Sequence, residues 1–163
     1  MTVEYLSLGD YLVIAEATLG IPAEELARYA NLGLVDSALH APAAGAGDAD
    51  FYPELTTKAA VLCSRLVRNH PLPDGNKRVA YACLRTFLDL NGHDIIRDET
   101  DENDEDALVA LIFDLAASTI SESTFEGWLR GRIKPTVLSR VYAINAAWGC
   151  FAGVVQEVTR RAL

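Results

Sequence analysis

Arg68-Asn-His70-Pro-Leu-Pro-Asp74-Gly-Asn-Lys-Arg78 joins the two most apolar helix-like stretches of the chain, and its reading decides the fold. Upstream, apolar residues at 55, 59, 62, 63 and 66 share one stripe of a helix expected over 54–69. Downstream, positions 79, 80, 83, 84, 87 and 88 make a second stripe, widened by Ala82 and Leu90. This second helix is expected to be central, and Asn91-Gly92 ends it with residues that tolerate positive φ. The quoted segment is therefore the loop of a helix–loop–helix. Two prolines, a glycine and an asparagine preset it as a tight turn at the N-terminus of the next helix.

The flanks extend the same pattern. Ser7, three residues before Asp10, marks a helix start with Leu8, Leu12 and Ala15 on its apolar face. A second helix is expected from Pro22 to about Asn31, and a short one over Val35 to Leu39. Residues 41–50 read as a small-residue loop, expected to be mobile, which Phe51-Tyr52-Pro53 closes. After the central pair, His93 to Ile96 suits a short extended piece. Leu108, Leu111, Ile112 and Leu115 mark one helix, and Phe125, Trp128 and Leu129 another that follows Ser121. Pro135 breaks the chain. Beyond it Val137, Val141, Ile144, Trp148, Phe151, Val155, Val158 and Ala162 alternate steps of four and three. That is a seam of period 3.5, suited to helices packed side by side. The fold class expected is all-α.

Composition agrees with one globular domain: 163 residues, half of them hydrophobic, with no apolar run long enough to span a membrane. The first residues carry no basic stretch ahead of an apolar one, so no export signal is expected and the location expected is cytoplasmic. Cys63, Cys83 and Cys150, widely spaced in helix-like segments, fit reduced buried thiols. The net charge of −9 comes mostly from one run, 98–106, which holds seven acids; without it the charge is −2. No broad basic face remains, so direct nucleic-acid binding is not expected. The run itself suits a solvated approach to a helix N-terminus.

Chemistry concentrates in the quoted loop. Backbone N–H groups in the first turn of a helix point outward unpaired and attract anions, phosphate above all. Lys77 and Arg78 add fixed positive charge there. Asp74 could hold Mg²⁺ beside phosphate oxygens, or cap the following helix. His70 is the side chain whose ordinary titration range suits proton transfer near pH 7. Arg68, two residues before it, is either a further anion contact or a solvated helix end. His40 and His93 read as turn residues, and Tyr52 as packing or part of a flap. The set describes a phosphate or nucleotide site with a base and a metal ligand. It lacks the spacing of a Walker loop or a dinucleotide fingerprint.

His70-x-Leu72-x-Asp74-Gly75-Asn76-Lys77-Arg78 resembles the signature of Fic/Doc (Fido) proteins in its Doc, or death-on-curing, form. The Fic form has a second glycine where this chain has Lys77. Gly33-Leu-Val-Asp-Ser-Ala-Leu39, Phe51-Tyr-Pro53 and Phe87-Leu-Asp-Leu-Asn-Gly92 agree with it, so that the resemblance covers about residues 4–130. It departs at Leu72, where the family usually has phenylalanine, and it is silent on the segment from about 136 onward. The organisation it implies is a compact helical Fido-type domain over 1–132, with the motif at the N-terminus of a central helix. Residues 133–163 would form an additional C-terminal helical extension, packed on that domain or mediating self-association as a homodimer.

The resemblance implies a Doc-type toxin of a bacterial toxin–antitoxin pair, acting as an ATP-dependent protein kinase. His70 would take the proton of a target Thr or Ser hydroxyl, and Asp74 would hold Mg²⁺. Gly75, Asn76, Lys77 and Arg78, with Arg68, would bind the nucleotide. The target it implies is elongation factor Tu, whose modification arrests translation. Two alternatives stay open: nucleotidyl transfer (AMPylation), the commoner Fic reaction, and a catalytically silent binding scaffold. Self-inhibited Fic proteins carry a Ser/Thr-x-x-x-Glu-Gly/Asn helix motif. The nearest approach here, Glu126-Gly127, has Glu122 at its first position. Inhibition is therefore expected in trans, from an antitoxin of the Phd type, with no membrane partner.

Overall fold

The computed structural model describes residues 2–47, 49–96 and 104–136. It is mostly helical, as expected. Helix α1 (Leu8–Leu19) starts on a reciprocal cap. The Asp10 N–H donates to Ser7 Oγ at 3.2 Å, and the Ser7 N–H donates to the Asp10 carboxylate at 2.8 Å. Helix α2 (Ala23–Tyr29) has Pro22 as its N-cap, and α3 (Leu32–His40) is longer than the sequence suggested. The extra turn of α3 follows from Asn31, whose side chain accepts the Leu34 N–H at 3.2 Å and starts the helix early.

Helices α4 (Leu55–Asn69) and α5 (Asn76–Leu90) form the central pair. Central position belongs to α4 as much as to α5. Ala59, Ala60, Val61, Leu62, Cys63, Leu66 and Val67 are all buried, which happens only when a helix is covered on nearly every side. Its neighbours are α3, α5, α6 (Asp104–Ala116) and α7 (Glu122–Arg132). From α5 come Val79, Ala80, Cys83, Leu84, Phe87 and Leu88, and from the last two helices Leu108, Ile112, Leu115, Phe125 and Leu129. Cys63 and Cys83 are free and buried, and burial pushes the Cys63 thiol up to about 12.

Two short strand pairs are present, of which the sequence reading anticipated only the extended piece at His93–Ile95. The 41–50 segment forms a 3₁₀ turn (Ala41–Ala43) and a small antiparallel hairpin, β1 (Gly45–Ala46) with β2 (Ala49–Asp50). Gly45 is obligatory there, because a Cβ would lie 2.5 Å from the Ala49 carbonyl oxygen. The hairpin is anchored by Lys58 of α4, only 1% exposed. Its ammonium donates to the Pro42 carbonyl at 2.9 Å and the Asp50 carboxylate at 2.7 Å, and lies 5.5 Å from the Tyr5 ring centre. The Lys58 ammonium in turn holds the Asp50 carboxyl below the usual carboxylate range.

The second pair joins β3 (His93–Ile95) to β4 (Ile133–Pro135), extended by the Thr136 N–H donating to the Gly92 carbonyl at 2.8 Å. This corrects the start of the expected C-terminal helical extension. Residues 133–135 are a strand of the domain itself, held by ladder hydrogen bonds that Pro135, at the strand's end, does not need to donate to. The period-3.5 seam and Cys150 lie outside the described residues, as does most of the acidic run. Among the described residues, no helix is long and apolar enough to cross a membrane.

Candidate active site

α3 and α4 run antiparallel, which places the motif loop and the hairpin at opposite ends of α4. At the loop end the Asn31 N–H donates to the Pro71 carbonyl at 2.8 Å and Asn69 Nδ2 donates to the Leu34 carbonyl at 3.0 Å. The hairpin end lies about 22 Å away, the length of a fifteen-residue helix.

α4 stops abruptly at His70, which adopts a left-handed conformation (φ 45°, ψ 55°). A non-glycine residue there is disfavoured by of order 1 kcal/mol, and the turn leaves the imidazole exposed ahead of α5. Pro71 and Leu72 then tuck under the loop. Leu72 is 4% exposed and packs in the main core, so the smaller side chain still anchors the turn.

Asn76 closes the loop on itself. Its side-chain oxygen accepts the Leu72 N–H at 2.9 Å and its Nδ2 donates to the Leu72 carbonyl at 2.6 Å. The Asn76 carboxamide, expected to contact nucleotide, is thus committed to holding the turn, and its backbone N–H is what it can offer a ligand. Gly75 sits at φ +83°, a conformation that calls for glycine, and a Cβ there would push the Leu19 side-chain tip aside.

No side chain caps α5, as none caps α4 behind Glu54, whereas serine and asparagine cap α1, α3 and α7. Asp74 therefore does not act as a cap. Its carboxylate is 95% exposed and pairs with Arg78 at 3.6 Å. The uncapped first turn, the His70 ring and the Asp74–Arg78 pair all belong to one exposed corner. A cleft of about 280 Å³ opens beside it, lined by Leu19, Ile21, Leu26, Tyr29, Pro73, Asp74 and Arg78. Among the described residues no group of three or more His, Cys, Asp or Glu could cage a metal. One exposed carboxylate beside an anion-binding turn does fit Mg²⁺, which commonly takes one or two carboxylates together with substrate phosphates.

Two cations of the segment have partners outside the loop. Lys77 Nζ lies 4.5 Å from the centre of the Phe113 ring on α6. Arg68, expected among the nucleotide contacts, turns to the α6–α7 connection. Its guanidinium donates to the Leu115 carbonyl at 3.4 Å and the Ile120 carbonyl at 3.3 Å, a natural use of a cation at a helix C-terminus. Glu126 is equally remote from the motif. It accepts the Thr57 hydroxyl at 2.9 Å near the other end of α4 and pairs with Arg130. His40 caps the end of α3 through the Asp36 carbonyl at 2.9 Å, and His93 Nδ1 lies 2.7 Å from the Asn91 carbonyl oxygen.

Lys58 is the residue that sequence reasoning passed over. A signal existed: position 58 lies three after Leu55 and four before Leu62, so a lysine stands inside the apolar stripe. A cation on a buried face implies a partner, although nothing in the pattern names Asp50.

The described residues thus form a mostly helical domain whose central helix pair is joined by a loop carrying an exposed histidine and a carboxylate–arginine pair. The sequence profile of the Fic/DOC family matches residues 5–88, just over half of the chain. The chain is also 40% identical over 105 residues to Toxin Doc of Mycolicibacterium smegmatis (strain ATCC 700084 / mc(2)155), covering 64% of this chain and 78% of the relative. No solved structure matches. The chain belongs to the Fic/DOC family, and its motif and this relative place it with the Doc toxins.

Proposed function

We propose that this protein is the toxin of a toxin–antitoxin pair and an ATP-dependent protein kinase that phosphorylates a Thr or Ser of a translation factor. The observation that carries the reading is the uncapped first turn of α5, with the exposed His70 just ahead of it. The Gly75–Arg78 backbone and the Arg78 guanidinium bind the phosphates, and Lys77 adds charge beside them. Asp74 is the carboxylate available to Mg²⁺, which neutralises phosphate charge when it arrives with the nucleotide. His70 takes the proton from the target hydroxyl as its oxygen attacks the γ-phosphorus and ADP leaves. The apolar cleft against Asp74 and Arg78 suits the flat base of a nucleotide.

Lys77 favours phosphoryl over nucleotidyl transfer. Where the Fic form has glycine, a diphosphate can lie flat against the turn. A four-carbon stem and an ammonium occupy that space here, favouring a reversed nucleotide with its γ-phosphate at the reacting centre. Elongation factor Tu is the target the family resemblance implies, which places the reaction in the cytoplasm. With Glu126 engaged by Thr57 and Arg130, inhibition falls to a separate Phd-type antitoxin segment that folds on binding.

The test is incubation of the full chain and elongation factor Tu with ATP labelled separately at the α and γ positions. Label transferred from γ is the result expected. Transfer from α would establish nucleotidyl transfer instead, and no transfer from either would favour a silent scaffold.

A further inference from the structure

Phe113 is 55% exposed, while Leu108, Ile112 and Leu115 on the same helix are buried. It stands off the core stripe of α6 and adds nothing to the interior. The Lys77 ammonium lies over its face, 4.5 Å from the ring centre. Among the described residues no carboxylate pairs with Lys77. The other motif cation, Arg78, is taken by Asp74, and the Asp114 carboxylate next to Phe113 accepts the Thr119 hydroxyl at 3.2 Å.

We propose that Phe113 is a positioning residue for Lys77, holding the ammonium beside the first turn of α5 before a phosphate group arrives. This rests on the reading of Lys77 as a phosphate contact. A lysine stem loses considerable rotamer freedom on being fixed, and a free lysine at a helix start would bear that loss when ligand binds. The ring bears part of it in advance, which is how preorganisation raises affinity. A cation–π contact is electrostatic and uses the ring face, so the ammonium keeps its N–H donors for phosphate oxygens. The contact is also weak enough for the side chain to adjust when those stronger charge-assisted bonds form.

The test uses the full chain with Phe113→Leu and Phe113→Trp. Phe113 is exposed, so neither substitution touches the core. By NMR, the Lys77 ε-methylene protons should be shifted upfield by the ring in wild type, lose that shift in Phe113→Leu and keep it in Phe113→Trp. Phe113→Leu should raise the Kd for Mg²⁺-ATP about two- to fivefold and Phe113→Trp should restore it. In a Lys77→Met background Phe113→Leu should change nothing. Unchanged or tighter binding by Phe113→Leu in the wild-type background overturns the proposal, as does an equal loss in the Lys77→Met background. If wild type binds no Mg²⁺-ATP, the nucleotide reading falls and this role with it, whereas binding that ignores Phe113 overturns this role alone.

Discussion

Lys58 and Lys77 stand at opposite ends of the helical pair and meet opposite fates. Lys58 is sealed in the interior, with a carbonyl, a carboxylate and a ring around its ammonium. Lys77 is half-exposed and rests on one aromatic face. The same contrast runs through their surroundings. At the hairpin end the charge is fully partnered, as a buried charge must be. At the loop end a histidine is held in a disfavoured conformation and the Asp74–Arg78 pair is open to solvent. A pair that exposed contributes little stability. The polar groups that anchor the hairpin are partnered, and those at the loop keep capacity in reserve.

The sharpest way to separate the two ends is to remove their principal groups. His70→Ala should lower transfer by about 10²- to 10⁴-fold, the usual contribution of a general base, with the unfolding midpoint in urea nearly unchanged. Lys58→Ala should act the other way, lowering stability by about 2–4 kcal/mol in urea unfolding because it strands the Pro42 carbonyl and opens a cavity. Lys58→Met keeps the stem and should lose less. If Lys58→Ala kept full stability, the hairpin anchor would be ornamental and the contrast would collapse.

Gly75→Ala should show a smaller effect that reaches both properties. The positive φ predicts a loss of roughly 1–3 kcal/mol in stability, accompanied by weaker phosphate binding as the first turn shifts. The smallest effect expected is that of acid on the hairpin. Asp50 is held below the ordinary aspartate range by Lys58, so its folded-state pKa lies below the unfolded one. Its stabilisation is present above the unfolded value and is lost as pH falls through the folded one. Amide exchange over residues 44–52 should therefore quicken only in acid, and Asp50→Asn should remove that pH dependence.

Much of the frame was legible because long helices carry their period openly. The stripes of α4 and α5, the Ser7–Asp10 cap and the Ser121 start all stand where the sequence puts them. The loop was legible for a different reason, since turn-forming residues and charged groups fall together within eleven positions. What escaped depends on contacts distant in sequence. The three-residue strand Ile133–Pro135 is too short to show alternation, and about forty residues separate it from its partner His93–Ile95, whose extended form was legible but whose pairing was not. The direction of a long side chain is also invisible. Arg68 and Lys77 both lie beside the turn in sequence, yet one reaches the carbonyls of Leu115 and Ile120 and the other the ring of Phe113. Asn76 shows the same limit at short range, since nothing in its position says that its amide faces Leu72 rather than solvent.

The most direct test of the division between a ligand-binding end and a structural end is amide hydrogen exchange on the full chain, with and without Mg²⁺-ATP. The account predicts added protection concentrated over residues 70–79, where the N–H groups of the first turn of α5 acquire phosphate acceptors, and none over the 44–58 anchor. Unchanged exchange over residues 70–79, or protection confined to the hairpin, would contradict it.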